Sequence, residues 1–389
     1  MALNTIIGQA ATGKNYFPRQ QITNEIWAKI EAGSNLLLVA PRRVGKSSLL
    51  FNLMDEPRDN RIVIYYDSES VNNENEFYKK LYKHITDQIS GIQKYKLKTT
   101  AILKDLAYRI ETISLKGEVG IGESKISYFN ELQNLIRNIE PDNDRIVVLI
   151  DEFAQTVENI LQDVNERAAI HFLETKRVIR QAPEIHKKLQ FIYAGSIGLE
   201  NIVNRINGSS LINDLAPIKV PPLSKREVKE LIGRILDGSG VEFDEGAYEH
   251  LLGIIEWWIP FYFHLILDEA DRILVEGSKI ITAQVLDLSL KNALNHRIYF
   301  DQWFTRLRKA YKSEDFSFVK ELLNKVSEKQ TIRSNEIYDM AVRYKIENSF
   351  NDLVNALKYD GYINNNDDPK VYRFNSPLLR EWWKYNVAS

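Results

Sequence analysis

The residues best suited to chemistry lie in one short stretch, APRRVGKSS, which runs from Ala40 to Ser48. Gly45, Lys46 and Ser47 complete the phosphate-binding pattern G-x-x-x-x-G-K-[ST], in which Ala40 replaces the first glycine. In such a loop, backbone N–H groups and a lysine contact the β- and γ-phosphates, and the hydroxyl coordinates Mg²⁺. Because alanine has the smallest side chain with a Cβ, the tight turn is still expected. The stretch therefore predicts a site for ATP or ADP with Mg²⁺.

The flanking residues predict the strand and the helix that such a loop needs. Leu36–Val39 has the length and composition of a buried strand, and Leu49 and Leu50 begin an apolar helical face. This strand–loop–helix context separates a phosphate-binding loop from a chance match. The residues predicted to contact the nucleotide are Ala40, Pro41, Arg42, Arg43, Val44, Gly45, Lys46, Ser47 and Ser48.

Two carboxylates follow a second buried strand. Five consecutive apolar residues, Ile146–Ile150, are typical of a central parallel strand covered on both faces, and Asp151 and Glu152 come directly after them. Ligands bind at this end of the strands in open α/β sheets. We predict that Asp151 holds the Mg²⁺ through a water and that Glu152 orients or deprotonates the attacking water. A solvated acidic loop is the alternative, and the phosphate-binding loop about one hundred residues earlier argues against it.

A further predicted strand ends at a small polar residue. Leu189–Ala194 is largely apolar and is followed by Gly195 and Ser196. Ser196 is placed where it could sense the γ-phosphate or the attacking water, and a plain turn serine is an equally good interpretation. Ser196 is therefore a catalytic candidate, with a turn serine as the alternative.

Length and composition limit the classes of protein. A chain of 389 residues should form two or three domains. A net charge of −2 gives no global preference for nucleic acid or for an anionic membrane. The absence of cysteine excludes disulfides, thiolate catalysis and Cys-ligated metal sites, and it fits a cytoplasmic protein. No segment resembles a signal peptide, and no apolar run reaches the ~18 residues of a membrane span.

The order of predicted elements divides the chain into three domains. Residues 1–220 alternate strands and helices, which predicts an α/β fold with a parallel sheet, and residues 91–125 are treated as an insertion in it. A proline-rich stretch, Ala216–Glu227, is interpreted as a linker. Residues 221–312 predict an all-α domain. Residues 313–389 predict three helices and a two-stranded hairpin, which is the winged-helix arrangement.

Several separated stretches together resemble one protein family. PRRVGKSSLL, IVVLIDEF and the strand that ends in Gly195 and Ser196 are similar to prokaryotic P-loop ATPases of the STAND/AAA+ group, specifically the archaeal-type ATPases. VPPLSKREV, the proline in WWIP and the terminal YRFNSPLLREWW also fit that family. The resemblance extends from Phe17 to the last residue.

The resemblance implies an ATPase core, a helical lid and a winged helix. The lid's Gly-x-Pro, which approaches the nucleotide in the family, maps onto Trp258–Pro260, where tryptophan replaces the glycine. The family's site residues map onto Lys46, Ser47 and Ser48 for the nucleotide, Asp151 and Glu152 for Mg²⁺ and hydrolysis, and Ser196 for the sensor.

The predicted winged helix lacks the positive charge that DNA binding requires. Its third helix, Glu347–Asp360, carries three acidic residues against one lysine, and its wing carries two acidic residues against two basic ones. Phosphate contacts drive non-specific affinity for DNA, and they need Lys or Arg. A protein partner is therefore favoured for this domain, with DNA as the alternative. The pairs Trp257–Trp258 and Trp382–Trp383 are interpreted as packing residues.

The predicted function is slow ATP hydrolysis coupled to a conformational switch, in which the helical lid closes over the γ-phosphate. Two alternatives stay open: an ATPase stimulated by DNA through the winged helix, and a nucleotide-stabilised scaffold with little turnover. The resemblance also implies an arginine finger, which in many relatives acts across subunits of a homo-oligomer. The candidates, near the strand that ends at Ser196, are Arg177, Arg180 and Arg205.

Overall fold

The computed structural model describes residues 3–58, 60–90, 126–138, 145–195, 198–274, 278–311 and 313–388. The chain forms two compact units. The first, which we call the sheet unit, comprises Pro18–Val39 and Ser47–Lys219. The second, the C-terminal unit, comprises Met1–Phe17, Ala40–Lys46 and Val220–Ser389. The predicted insertion at residues 91–125 lies outside the described residues.

The sheet unit is built on five parallel strands. Their bounds are β1 Asn35–Val39, β2 Arg61–Asp67, β3 Arg145–Asp151, β4 Leu189–Tyr193 and β5 Leu215–Lys219. The strands lie in the order β2-β3-β4-β1-β5, and each neighbouring pair is parallel. The predicted α/β fold with a parallel sheet is therefore confirmed.

Helices surround this sheet and bury its apolar faces. Their bounds are α1 Gln20–Glu31, α2 Lys46–Asp55, α3 Glu74–Ser90, α4 Tyr128–Asn138, α5 Phe153–Asp163, α6 Glu166–Gln181, α7 Pro183–His186 and α8 Leu199–Arg205. The strand β3 is buried from Ile146 to Asp151, as its unbroken apolar run predicts. The register pairs Asp67 of β2 with Asp151 of β3 at the end of both strands.

The linker prediction is wrong for Ala216–Lys219, which belong to β5. This strand pairs with β1 along its whole length, with Ile218 opposite Leu38. Pro217 is compatible with the strand because β5 lies at an edge of the sheet, where one side needs no ladder hydrogen bonds. The proline content of this stretch suggests a linker, but Pro217 lies in an edge strand of the sheet.

The C-terminal unit is mainly helical. Its helices are α9 Lys225–Leu236, α10 Ala247–Ile255, α11 Pro260–Ile273, α12 Ala283–Asn295, α13 Arg297–Ala310, α14 Ser313–Lys329, α15 Ser334–Arg343, α16 Phe350–Tyr359 and α17 Pro377–Asn386. The predicted capping box opens α9, since Glu227 N donates to Ser224 Oγ at 3.3 Å and Ser224 N donates to Glu227 Oε2 at 2.7 Å.

Two small sheets accompany these helices. The first pairs β6 Glu242–Phe243 with β7 Ile280–Ile281 in parallel, so the region predicted to be all-α also contains this short strand pair. The second is antiparallel and consists of β8 Thr331–Arg333, β9 Ile363–Asn364 and β10 Val371–Phe374, with β10 in the middle. The predicted hairpin corresponds to β9 and β10, whereas β8 is too short to be recognised from its sequence.

The last helix closes the core of the C-terminal unit. Trp382 and Trp383 of α17 are buried, as predicted. Trp382 stacks on Phe300 with ring centroids 5.8 Å apart, and the indole N–H of Trp383 donates to Asn324 Oδ1 at 2.9 Å. Both indole rings thus pack in the core and are shielded from solvent.

Candidate nucleotide-binding site

The phosphate-binding loop connects the end of β1 to the start of α2, as its motif predicts. Ala40 and Val44 are buried, while Pro41, Arg42, Arg43, Gly45, Ser47 and Ser48 are half-buried. Gly45 has φ +96°, and a side chain placed there would meet no atom within 4 Å. The glycine is therefore required by the backbone conformation of the turn. Arg43 also has a positive φ, +65°, which is unusual for a residue with a Cβ.

Lys46 folds back over its own loop. Its Nζ atom donates to the carbonyl oxygens of Ala40 at 2.8 Å and Pro41 at 3.1 Å, and the residue is only 8% exposed. These two hydrogen bonds draw the ends of the turn together and compensate for the burial of the ammonium group. A phosphate that recruits this ammonium must compete with both carbonyl oxygens.

Ser47 and Asp151 lie in direct contact within the sheet unit. The Ser47 hydroxyl donates to Asp151 Oδ2 at 2.9 Å. The backbone N–H of Glu152 donates to Asp151 Oδ1 at 3.0 Å, so both carboxylate oxygens accept hydrogen bonds. Asp151 is only 4% exposed. A hydroxyl and a carboxylate side by side form the oxygen donor set that a hard cation such as Mg²⁺ prefers, so these residues fit that ion.

Tyr65 is a neighbour of Asp151 that the sequence analysis missed. Its hydroxyl donates to Asp151 Oδ2 at 3.2 Å. Burial, and then the charge of Asp151, raise the pKa of Tyr65 well above its usual value, so the phenol keeps its proton and remains a donor. The only sequence signal is the position of Tyr65 near the end of β2. That signal becomes useful once β2 is known to pair with β3.

Glu152 begins the turn from β3 into α5. Its φ of +52° lies in the left-handed region, and it is the N-cap residue of α5. The next N–H, that of Phe153, donates to Ala194 O at 3.0 Å, which ties this turn to the end of β4. Non-glycine residues in this conformation are concentrated at functional sites, where the surroundings hold them in place.

Ser196 lies outside the described residues, so its predicted role as a sensor stays a prediction. Ala194 and Gly195 before it are buried. Ala194 N donates to Ile150 O at 2.8 Å. The end of β4 is thereby held beside the end of β3, where Asp151 and Glu152 follow.

The three candidate finger arginines have different surroundings. Arg180 is buried and makes a bidentate ion pair with Asp214, with both N–O distances at 2.7 Å. A guanidinium held in this way serves the structure of the sheet unit. Arg177 donates to Ser210 O at 2.6 Å, and Arg205, which is exposed, pairs with Glu158.

Within the described part of the chain, no group of three or more His, Asp or Glu side chains converges as a metal site. A cation held by Ser47 and Asp151 would thus take its remaining ligands from the nucleotide and water, as Mg²⁺ commonly does. Among the described helices, none has both the length and the apolar character needed to cross a membrane.

Comparison with known proteins found a match to one protein family. Residues 30–203 match the AAA domain family. Sequence comparison found no match to a curated protein. The matched residues include the phosphate-binding loop, β3 and β4.

Solved structures with low sequence identity share the fold. A Walker-type ATPase of Pyrococcus abyssi superposes with a TM-score of 0.63 at 18% identity, covering 98% of this chain and 99% of that chain. The ORC2 protein of Aeropyrum pernix, in its ADPNP–ADP complexes, gives a TM-score of 0.55 at 12% identity, covering 94% of this chain and 93% of the other. The chain thus has a P-loop NTPase core with a helical C-terminal region.

Proposed function

We propose that this protein binds ATP with Mg²⁺ and hydrolyses it slowly, and that the exchange of nucleotide switches the conformation of its C-terminal unit. The observation that carries the proposal is the hydrogen bond from Ser47 Oγ to Asp151 Oδ2. It joins the end of the Gly-Lys-Ser sequence to the acidic end of β3. In P-loop NTPases these two positions hold the Mg²⁺ of the nucleotide.

Each residue of the site has a distinct part in this proposal. Lys46 leaves the carbonyl oxygens of its loop and places its charge on the β- and γ-phosphates. Ser47 and Asp151 hold the Mg²⁺, which when bound neutralises charge that develops on the phosphate oxygens. Glu152 orients the attacking water, and Ser196 senses the γ-phosphate. The remaining nucleotide contacts come from the loop, namely Ala40, Pro41, Arg42, Arg43, Val44, Gly45 and Ser48.

The reaction is the transfer of a phosphoryl group to water. The water oxygen forms a bond to the γ-phosphorus while the bond to the β–γ bridging oxygen breaks, giving ADP and inorganic phosphate. Glu152 accepts the proton that the water loses. The residues of the loop contribute by fixing the phosphates and by supplying positive charge around them.

For the C-terminal unit we propose a helical lid at residues 221–312 and a winged helix at residues 313–389, with a protein as the partner of the latter. The charges of the wing support a protein over DNA. Arg373 of β10 is engaged within the chain, since it pairs with Glu256 at 2.9 Å and with Asp367 at 2.9 Å. An arginine neutralised in this way has less charge to offer to a phosphate backbone. The cysteine-free composition supports a cytoplasmic location as part of the same proposal.

The proposal is tested by measuring ATP binding calorimetrically, with Mg²⁺, for the wild type and for Lys46→Ala. We expect the wild type to bind and the variant to lose at least about thirtyfold in affinity, because a charged partner of the phosphates is removed. Lys14→Ala, at an exposed position, is the matched control and should bind like the wild type. Wild-type affinity in Lys46→Ala would refute the proposed site.

A further inference from the structure

The first half of the phosphate-binding loop packs within the C-terminal unit. The guanidinium of Arg43 lies over the ring of Phe261, with its Cζ 4.0 Å from the ring centroid. Arg43 Nη2 also donates to the carbonyl oxygen of Tyr299 at 3.4 Å. Phe261 is at the start of α11, Tyr299 is at the start of α13, and their rings meet edge to face at 5.9 Å. One loop arginine therefore contacts two helices through a cation–π contact and a hydrogen bond.

A second loop residue, Pro41, contacts the turn that follows α16. Gly361 ends that helix with φ +85°, and its N–H donates to Lys358 O at 3.2 Å. A methyl group added at Gly361 would lie 2.7 Å from Trp257 Cη2 and 3.0 Å from Pro41 Cβ. The loop, the segment before α11 and the turn after α16 are thus in close contact, with no room for an additional carbon atom.

The residues that make these contacts also position the ammonium of the loop lysine. Pro41 packs on Gly361 through its ring, and its carbonyl oxygen accepts the hydrogen bond from Lys46 Nζ at 3.1 Å. A movement of this carbonyl as Lys46 turns toward a phosphate would change the packing of Pro41 beside Gly361. Close-packed contacts shift between discrete arrangements. A change in the conformation of the loop should therefore change the packing of α11 and α13, which contact Arg43.

We infer that the C-terminal unit restrains the phosphate-binding loop through Arg43 and Pro41, and that nucleotide binding releases this restraint. The inference rests on the proposed function, because it requires the loop to bind a nucleotide. It assigns Phe261, Tyr299 and Gly361 as the residues that sense the state of the loop. Coupling of this kind is reciprocal, so weakening the restraint should tighten nucleotide binding.

The experiment compares Phe261→Leu with Phe263→Leu in the full-length protein. Both positions are buried on α11 and receive the same substitution, but only Phe261 carries the Arg43 guanidinium. Amide hydrogen exchange is measured by mass spectrometry with and without saturating AMPPNP and Mg²⁺, and AMPPNP affinity is measured by calorimetry. The peptides of interest cover residues 258–263, 296–303 and 358–364.

In the wild type, AMPPNP should slow exchange in the loop and accelerate it in the three peptides of the C-terminal unit. In Phe261→Leu, these three peptides should exchange faster than in the wild type even without nucleotide. The variant should also bind AMPPNP about fivefold more tightly than the wild type, which is at the lower end of typical coupling factors. Phe263→Leu should keep the wild-type response. Equal behaviour of the two variants, or weaker binding by Phe261→Leu, would overturn the inference.

A second pair of variants tests the contact at Pro41. Gly361→Ala and Gly246→Ala introduce the same backbone strain, at φ +85° and +78°, but nothing lies within 4 Å of a side chain at Gly246. Only Gly361→Ala should change AMPPNP affinity. A wild type that fails to bind AMPPNP would refute the proposed function itself. A wild type that binds AMPPNP, with no change of exchange outside the loop, would refute the restraint alone.

Discussion

The carboxylate of Asp151 accepts hydrogen bonds from donors in different segments of the sheet unit. The donors are Ser47 Oγ at the start of α2, Tyr65 OH on β2 and the N–H of Glu152. A carboxylate that is buried and fully hydrogen-bonded is held in one orientation. At the scale of single residues, the contacts of this part of the sheet unit are therefore organised around Asp151.

The role proposed for Glu152 gives a prediction at this scale. Glu152→Gln keeps the size of the side chain and removes its capacity to accept a proton. We expect ATP affinity within about twofold of the wild type and a turnover rate lower by about 10²–10⁴-fold. Binding is measured by calorimetry and turnover by phosphate release. A variant that turns over ATP at the normal rate would show that another group acts on the water.

Tyr65 gives a second prediction at this scale. Tyr65→Phe removes a donor to Asp151 without changing the shape of the ring. Loss of a hydrogen bond to the carboxylate proposed to bind the metal should raise the Mg²⁺ concentration for half-maximal turnover by about tenfold. The control is Tyr66→Phe, which loses a hydrogen bond to Phe77 O, away from the carboxylate. An unchanged Mg²⁺ dependence in Tyr65→Phe would argue against a metal at Asp151.

At the scale of elements, helix α11 connects two features of the C-terminal unit. Its start carries Phe261, which lies under Arg43, and its next turn carries His264. The N-terminal segment docks on this helix: Ile6 N–H donates to His264 Nδ1 at 3.2 Å, and the Thr5 hydroxyl donates to Asp268 Oδ1 at 2.7 Å. Because Nδ1 accepts a hydrogen bond, His264 must be neutral there.

This contact predicts a dependence of stability on pH. Burial lowers the pKa of His264 from 6.5 to about 4, despite the opposing charge of Asp268. The unfolded chain therefore binds a proton more readily, and the free energy of unfolding should decrease as the pH falls from about 6.5 to about 4. The contribution is on the order of 3 kcal/mol at most.

The measurement is urea unfolding at pH 7 and pH 4.5. His264→Gln should lose less stability than the wild type between these two pH values, whatever its stability at pH 7. Identical pH dependence in the wild type and His264→Gln would show that this histidine does not titrate on unfolding.

At the scale of the whole molecule, the net charge leads to a prediction about DNA binding. The chain carries 51 basic and 53 acidic residues, so it has no overall attraction for a polyanion. We expect duplex DNA to leave ATP turnover unchanged within about twofold at low salt, where phosphate contacts are strongest. Strong stimulation that disappears with added salt would favour the DNA-dependent alternative.

The candidate finger arginines give a prediction about the oligomeric state. An arginine finger contributed by a second copy would make the mass in solution depend on the nucleotide. We expect a larger mass with AMPPNP than with ADP in light scattering, and we expect Arg205→Ala to lower turnover without weakening ATP binding. Arg180→Ala should instead destabilise the sheet unit, because it removes the buried guanidinium that pairs with Asp214.

The sequence by itself determined the local parts of this protein. Ala40–Ser48 and the apolar run before Asp151 identify the loop and the central strand, because both depend on residues that are adjacent in the chain. The capping box at Ser224 is recognisable for the same reason. The edge strand β5 was missed because its proline, Pro217, is acceptable only at a border of the sheet, and the border is not a local property.

Only the tertiary structure decided which of these parts meet. Ser47 and Asp151 are 104 residues apart, and their contact depends on the strand order of the sheet. Tyr65 joins them because β2 pairs with β3 in one register, and Arg43 meets Phe261 because the C-terminal unit folds around the loop. Strand order and packing are set by many weak long-range contacts together, so no short stretch of sequence contains them.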